Sequence, residues 1–271
     1  MSVRASGPDA ALLTVERGMQ VLRAFRCERG SLSNAELVRR TGLSKATVSR
    51  LTSTLLQVGF LRQVADRRGF ELATGSIGIG HAYLAGNDLC RIAAPALQQL
   101  ADSLNVSAAL AVGNGVEMLY VGYKAGPGVA TLRMGLGSVL PMGTTSIGRA
   151  YLWSLPPQPR ERRIALLKQR AGAQADALEQ GLQRSFAELD THGTCAVLGG
   201  HRQGAYGVST PVVVGRERVP MVISAGRADI RPDLAAERRR IDPVLKAAAR
   251  SLEQLLANVE TAMTATETDS W

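Results

Sequence analysis

The amino-acid sequence predicts a mixed α/β protein of two domains, opening with a winged helix-turn-helix and a linker helix. Three observations lead there. Its 271 residues are enough for about two domains at roughly 150 residues each. Its charge is uneven, with 12 basic and 6 acidic residues in positions 1–75 against 20 and 17 in the remainder. Its hydrophobic pattern also changes, from short capped helical stretches to apolar strands alternating with longer helices.

Composition narrows the class. Hydrophobic residues at 45% and charged residues at 20% can bury a core and exclude wholesale disorder. No apolar run reaches the roughly 18 residues of a membrane span. The opening Met1-Ser-Val-Arg-Ala-Ser-Gly-Pro-Asp lacks the apolar core of a secretion signal. Cys27, Cys90 and Cys195 are odd in number and far apart, as expected of reduced thiols rather than a disulfide framework. The expectation is a soluble cytoplasmic protein with no membrane partner. Of the net charge of +9, the first 75 residues carry +6, the footprint of a module that meets phosphate. Arginine supplies 28 of the 32 basic residues, so a general preference for arginine would explain the surplus equally well. The local pattern decides.

Residues 14–27 place Val15, Met19, Leu22 and Phe25 at helical spacing, with Arg17, Arg23 and Arg26 between them. Ser33-Asn-Ala-Glu36 is a capping box that opens a short helix carrying Leu37 and Val38. Gly42, after Thr41, suits the left-handed residue that ends it. Ser44 then caps a third helix, Lys45-Ala-Thr-Val-Ser-Arg-Leu-Thr-Ser-Thr-Leu-Leu. Two short helices joined by a glycine-containing turn form a helix-turn-helix.

On the third helix Val48, Leu51 and Leu55 make one apolar stripe. The opposite face presents Ala46, Ser49, Arg50 and Ser53, flanked by Lys45 and Thr47. Apart from Lys45 and Arg50 these side chains are short, so the helix can approach a major groove. Arginine can pair with guanine, serine and threonine can bond bases or phosphates, and alanine can meet a thymine methyl. The Ser44 end offers free N–H groups to a phosphate. A merely solvated face usually mixes Glu with Lys, yet positions 37–65 hold no acid at all. Residues 59–72 then read as two short strands about a turn at 66–69, with Arg67 and Arg68 at its tip, a wing for the neighbouring groove or backbone.

Beyond the wing, residues 76–104 read as two helices joined near Gly86. Segments 108–112, 116–123, 129–134, 195–198, 205–214 and 219–225 read as strands, and 148–155, 160–171, 174–191 and 233–259 as helices. Gly75-Ser-Ile-Gly-Ile-Gly80 lacks the βαβ setting of a dinucleotide loop. His81, His192 and His201 show no metal-ligand spacing, and no nucleophile elbow or Cys–His pairing appears. Cys195 opens a buried-looking strand and reads first as a core thiol. The expectation is therefore neither an enzyme nor a cofactor or metal protein.

The sequence resembles the IclR family of bacterial transcriptional regulators. The resemblance rests on Val15-Glu-Arg-Gly-Met-Gln-Val-Leu, Ser33-Asn-Ala-Glu-Leu, Thr41-Gly-Leu-Ser-Lys-Ala-Thr-Val-Ser-Arg-Leu and Gly59-Phe-Leu. In the second half it rests on Leu140-Pro-Met-Gly-Thr-Thr-Ser-Ile-Gly-Arg-Ala-Tyr-Leu and Thr210-Pro-Val. It implies a winged helix-turn-helix over 10–75, a linker helix over 76–88, a GAF-like effector-binding domain over 89–260 and a frayed tail over 261–271. It also implies a homodimer, often paired into a homotetramer, with the apolar stretch Ile77–Leu84 between protomers. The chain departs from the family at Arg149, where lysine is common, at Val197 and Gly200, where acids are common, and at Gly207, where a small polar residue or cysteine is usual.

The expected function is regulation of transcription by a protein that binds operator DNA and answers to a small molecule. DNA would be met by Ser44, Lys45, Ala46, Thr47, Ser49, Arg50, Ser53, Arg67 and Arg68. By resemblance, the effector would be lined by Thr144, Thr145, Ser146 and Ile147 on one loop and by Cys195, Val197 and Ser224 on strands. Met118, Tyr120 and Met134 would add apolar surface, although the two methionines suit a packed core equally well. With valine at position 197, a partly apolar organic acid, aromatic acids included, is expected in place of a small hydrophilic one. The competing reading is a small-molecule sensor module that acts through protein partners, whose helix-turn-helix would need no acid-free face.

Overall fold

The computed structural model describes residues 8–26, 30–64, 68–129, 134–228 and 232–260. The chain divides into two compact units between Gly86 and Asn87.

The N-terminal unit begins with helices α1 (Pro8–Arg23), α2 (Asn34–Thr41) and α3 (Lys45–Gln57). Ser33 caps α2 by accepting the Glu36 N–H, and Gly42 ends it in the left-handed conformation at φ 69°. Ser44 caps α3 by accepting the Thr47 N–H at 3.2 Å. Strands β1 (Leu61–Gln63) and β2 (Phe70–Leu72) pair antiparallel. The turn between them, with Arg67, lies largely outside the described residues, as does Cys27. Leu32 adds a bridge to this hairpin, exchanging two 2.8 Å backbone hydrogen bonds with Phe70. Helix α4 (Gly75–Ala85) closes the unit, so the glycines at 75, 78 and 80 sit on a helix.

The core of this unit is Val21, Ala24, Leu32, Leu37, Val48, Leu51 and Leu61. The stripe expected on α1 therefore needs correction. Leu22 and Phe25 pack partly against the core, whereas Val15 and Met19 are exposed at 66% and 50%. The cause is length: α1 has 16 residues, against 8 in α2, and only its last turns meet the other helices.

The C-terminal unit is built on one antiparallel six-stranded sheet in the order β5-β4-β3-β8-β7-β6. Its strands are β3 (Ser107–Asn114), β4 (Glu117–Ala125), β5 (Val139–Pro141), β6 (Cys195–Leu198), β7 (Ala205–Val214) and β8 (Val219–Ala228). The strand expected over 129–134 falls mostly outside the described residues, and Val129 and Met134 themselves are not in a strand. Strand β5, three residues long and ending on a proline, carries too little periodicity to be read from sequence.

Helices α5 (Asp88–Leu104) and α9 (Leu234–Leu256) cover one face of the sheet, sharing a core with Ala108, Leu110, Val208 and Ile223. Helices α6 (Ser146–Ser154), α7 (Pro157–Ala171) and α8 (Ala175–His192) cover the other, over Ala109, Ala111, Cys195 and Val222. A bulge shifts the β3–β4 register, so that Leu110 faces Gly122 while Ala111 faces Tyr120. Val121 and Gly122 are thereby both spent on the α5 side. Tyr120 and Tyr123 stack with ring centres 6.0 Å apart.

Candidate nucleic-acid interface and effector site

The third helix holds its apolar side chains in and its polar ones out. Val48 is fully buried and Leu51 nearly so, while Lys45, Ala46, Ser49, Arg50 and Ser53 are exposed and Thr47 is half-buried. Thr52 is buried too, which its hydroxyl tolerates by donating to the Val48 carbonyl at 2.9 Å. Ser53 likewise donates to the Ser49 carbonyl at 3.0 Å, a bond it can exchange for an outside partner. Neither Lys45 nor Arg50 has an ion-pair partner among the described residues, so each presents its charge outward. Arg39 and Arg40 differ, because both are held by the Glu36 carboxylate. Arg40 also donates to the Ala24 carbonyl at 2.6 Å, tying α2 to the end of α1. Those two hydrogen bonds, Arg39's first, hold the Glu36 carboxyl at about 2, well below its ordinary 4.5. On the hairpin, Arg62 pairs across the strands with Glu71, and Arg68 is exposed.

In the C-terminal unit the loop before α6 stands against the sheet. Thr145 caps α6, accepting the Gly148 N–H at 3.2 Å and donating to the Pro141 carbonyl at 2.6 Å. The Ser146 and Ile147 N–H groups lie in the first turn, where no intrahelical acceptor exists. Thr144 donates to the Gly200 carbonyl at 2.6 Å, fastening the loop to the β6–β7 connection. A Cβ at Gly200 would lie 2.2 Å from the Thr144 carbonyl oxygen, so only glycine lets these two backbones meet.

Beneath the loop, strand register sets out two rows of small residues. Ala109, Ser224, Ser209 and Cys195 form one, and Ser107, Gly226, Gly207 and Val197 the other. The Ser209 hydroxyl lies 2.9 Å from that of Ser146, the first residue of α6, and 2.9 Å from that of Ser224. These contacts bring Ser146 and Ser224 together through a residue that the sequence reading missed. Ser209 reads as one polar position in an apolar strand, and the only available signal was a second serine, Ser224, on a strand that could pair with it.

The other expected effector residues are placed variously. Met118 and Ile147 are buried in the core under α6, and Met134 packs partly against it. Cys195 is fully buried and its thiol donates to the Ser146 carbonyl at 3.3 Å. Burial pushes that thiol up to about 12, with Glu188 adding to the effect, which suits a packing role over a reactive one. Tyr120 is buried and its hydroxyl shifts upward for the same reason, reinforced by Tyr123. Val197 is half-buried beside Gly200. Sequence reasoning also assigned no role to Arg149. From α6 this side chain donates to the Gly143 carbonyl and the Ser185 hydroxyl, each at 3.1 Å, and so braces the loop from behind. Gly181 leaves it room, since a Cβ there would lie 2.5 Å from the guanidinium.

Among the described residues no group of His, Cys, Asp and Glu is placed to hold a metal, and no helix is long and apolar enough to cross a membrane. Two family models match this chain. Residues 14–65 match the IclR helix-turn-helix domain, and residues 81–254 match the C-terminal domain of the bacterial transcriptional regulator IclR. An HTH-type transcriptional regulator of Comamonas testosteroni is 27% identical over 244 residues, covering 89% of this chain and 87% of its own. The crystal structure of an IclR-family transcriptional regulator from Brucella abortus superposes with a TM-score of 0.80 at 28% identity, covering 94% of this chain and 97% of that one. An IclR homologue from Microbacterium hydrocarbonoxydans, solved in complex with 4-hydroxybenzoate, shares the fold at 20% identity and a TM-score of 0.64, covering 90% and 98%.

Proposed function

The chain belongs to the IclR family of DNA-binding transcriptional regulators, and we propose that it is a ligand-responsive member whose effector is a partly apolar organic acid. Operator DNA is read by Lys45, Ala46, Thr47, Ser49, Arg50 and Ser53, with Ser44 at a phosphate and with Arg67 and Arg68 meeting the neighbouring groove or backbone. The observation that carries the DNA part is the exposed, acid-free face of α3, with Lys45 and Arg50 turned outward. A protein-docking helix would gain nothing from excluding acids over positions 37–65.

The effector occupies the space between the Thr144–Ile147 loop and the small-residue rows. Thr144, Ser146 and the first-turn N–H groups of α6 hold its carboxylate, and Ser224 adds a hydrogen bond from the sheet. Val197 in the adjacent row, with Tyr120 and Met134, supplies an apolar wall, while Met118, Ile147 and Cys195 back that wall from within the core. The 4-hydroxybenzoate bound by the Microbacterium homologue is an acid of this chemical class.

The working form is a homodimer that reads two half-sites, since one winged helix covers too little DNA for tight specific binding. Support comes from α4, which buries no residue and leaves Ile77, Ile79, Tyr83 and Leu84 exposed. Light scattering should find a dimer or larger at micromolar concentration, and monomer alone would refute this. The effector reading is tested by a thermal-shift screen of organic acids on the wild type, Ser146→Ala and Val197→Asp. Apolar acids should stabilise the wild type and lose effect in both variants. Stabilisation by small, highly polar acids alone, or an unchanged response in both variants, would refute the pocket.

A further inference from the structure

On the effector side of the sheet, strand register leaves a field with almost no side chains. Ala111 and Ala109 pair with Tyr120 and Tyr123 on β4, and with Val222 and Ser224 on β8. Between Ser107 and Val197 the second row holds only Gly226 and Gly207. A Cβ at Gly207 would lie 2.7 Å from the Ser146 hydroxyl, so a side chain there would displace it. Tyr120, Tyr123 and Ser107 bound the field on one side, and Ser224, Ser209 and Val197 on the other. Tyr123 and Ser224 stand two strand spacings apart, about 10 Å. A ligand whose carboxylate is held at Ser146 and Ser224 has its body directed towards β4. The opposite side is closed, because Cys195 is fully buried and Thr144 is fastened to the Gly200 carbonyl.

The two tyrosines at the β4 side use their hydroxyls differently. That of Tyr123 lies 2.9 Å from the Ser107 hydroxyl. That of Tyr120 makes no hydrogen bond among the described residues, although the residue is only 7% exposed. A buried phenol ordinarily finds a partner, because leaving one unmet is unfavourable. The Tyr120 ring is fixed: it stacks on Tyr123 at 6.0 Å and 18°, and it shares a core with Ala109, Ala111 and Ile147. Burial keeps its hydroxyl protonated, and so a donor.

We propose that the Tyr120 hydroxyl is the effector's second anchor, donating to a carbonyl or ether oxygen at the end of the ligand remote from its carboxylate. The proposal rests on the effector site described above and names one further part of the ligand. An oxygen without a proton suits this apolar surrounding best. Two hydroxyls facing each other carry two protons for one contact and leave one unbonded, whereas a carbonyl or ether leaves none. Tyr120 thereby adds one polar point to the apolar wall. Tyr123 and Ser107 are positioning residues that act through its ring.

The test is calorimetric titration of the full chain with 3- and 4-acetylbenzoate and with 3- and 4-isopropylbenzoate. Acetyl and isopropyl are close in size, but only acetyl accepts a hydrogen bond. At least one acetyl acid should bind about five- to tenfold tighter than its isopropyl counterpart, as one buried hydrogen bond implies. In Tyr120→Phe, which removes the hydroxyl and keeps the ring, that ratio should fall towards one while the isopropyl acid binds as before. The ligand-free variant should melt no lower than the wild type, because it loses no hydrogen bond within the protein. Equal binding of each pair in the wild type, or tighter binding of the isopropyl acids, overturns the second anchor and leaves the effector site standing. A ratio that survives in Tyr120→Phe overturns Tyr120 as its source. A lower melting temperature, or a variant that does not fold, would show that the hydroxyl has a partner inside the protein, and overturns the proposal too. If none of the four acids binds, the effector reading fails and this proposal fails with it.

Discussion

Helix α3 and the loop before α6 are both rich in serine and threonine, and they use these residues in opposite ways. On α3 the hydroxyls of Ser44, Ser49 and Ser53 are exposed and bonded at most to their own helix, so an outside partner can claim them. In the C-terminal unit Ser146, Ser209 and Ser224 are buried and bonded to groups distant in sequence. The first arrangement is cheap to rearrange and suits a partner that varies from one sequence to the next. The second is costly to disturb, because a buried hydroxyl deprived of its partner costs about 1–3 kcal/mol. One residue type thus serves two kinds of recognition, and burial determines which.

The largest expected effect would break the buried half of this comparison and leave the exposed half intact. A Cβ at Gly148 would lie 2.0 Å from the Met142 carbonyl oxygen, a backbone contact that cannot yield without moving the loop. Gly148→Ala should therefore destabilise the C-terminal unit by about 3 kcal/mol, the upper part of the range for overpacking. Amide exchange should speed up over α6 and β7 and stay unchanged over α3. Unaltered protection in α6 would mean that the loop is not held as described.

Next comes Arg50→Ala, which acts on the exposed half alone. It should relax operator preference at one position by about 1–3 kcal/mol while the melting of the N-terminal unit stays put. Titrations showing wild-type affinity and specificity would remove Arg50 from the reading face. Ser44→Ala is smaller. It should cost about 1 kcal/mol through the lost cap on the Thr47 N–H, read as faster exchange in the first turn of α3.

The same contrast explains what could be read from sequence. The caps Ser33 and Ser44, the left-handed Gly42 and the Val48–Leu51 stripe depend on residues within one or two helical turns, and local spacing reveals them. The Leu32 bridge to Phe70 and the Ser146–Ser209–Ser224 row join residues 38, 63 and 15 positions apart, and no periodicity encodes such a meeting. Val15 and Met19 mark a different limit. Helical spacing announces that an apolar face will be covered, but cannot say whether the cover comes from the same chain. Glycine was informative only where a turn demanded it. The roles of Gly200 and Gly207 come from close approach between distant segments, which a single sequence does not display.

The smallest effect sharpens the comparison through pH. The hydrogen bonds from Arg39 and then Arg40 hold the Glu36 carboxyl at about 2 in the folded chain, against 4.5 ordinarily. A carboxyl lowered by folding stabilises the fold fully above its unfolded value, and that contribution is lost as pH falls through the folded value. The window for Glu36 therefore runs downward from about pH 4.5 to about pH 2. Protonation there would release Arg40, which also grips the Ala24 carbonyl, so the α1–α2 contact should loosen first. Solvent still reaches and screens this half-buried pair, and the loss should be modest. The buried hydroxyl row has nothing that titrates in that window, and the thiol beside it is held up near 12. Lowering the pH should therefore speed amide exchange in α2 before it does so in β7, and Glu36→Gln should flatten the α2 response between pH 4.5 and 2 without changing that of β7. A Glu36→Gln profile that follows the wild type in α2 would show that the carboxylate contributes nothing there.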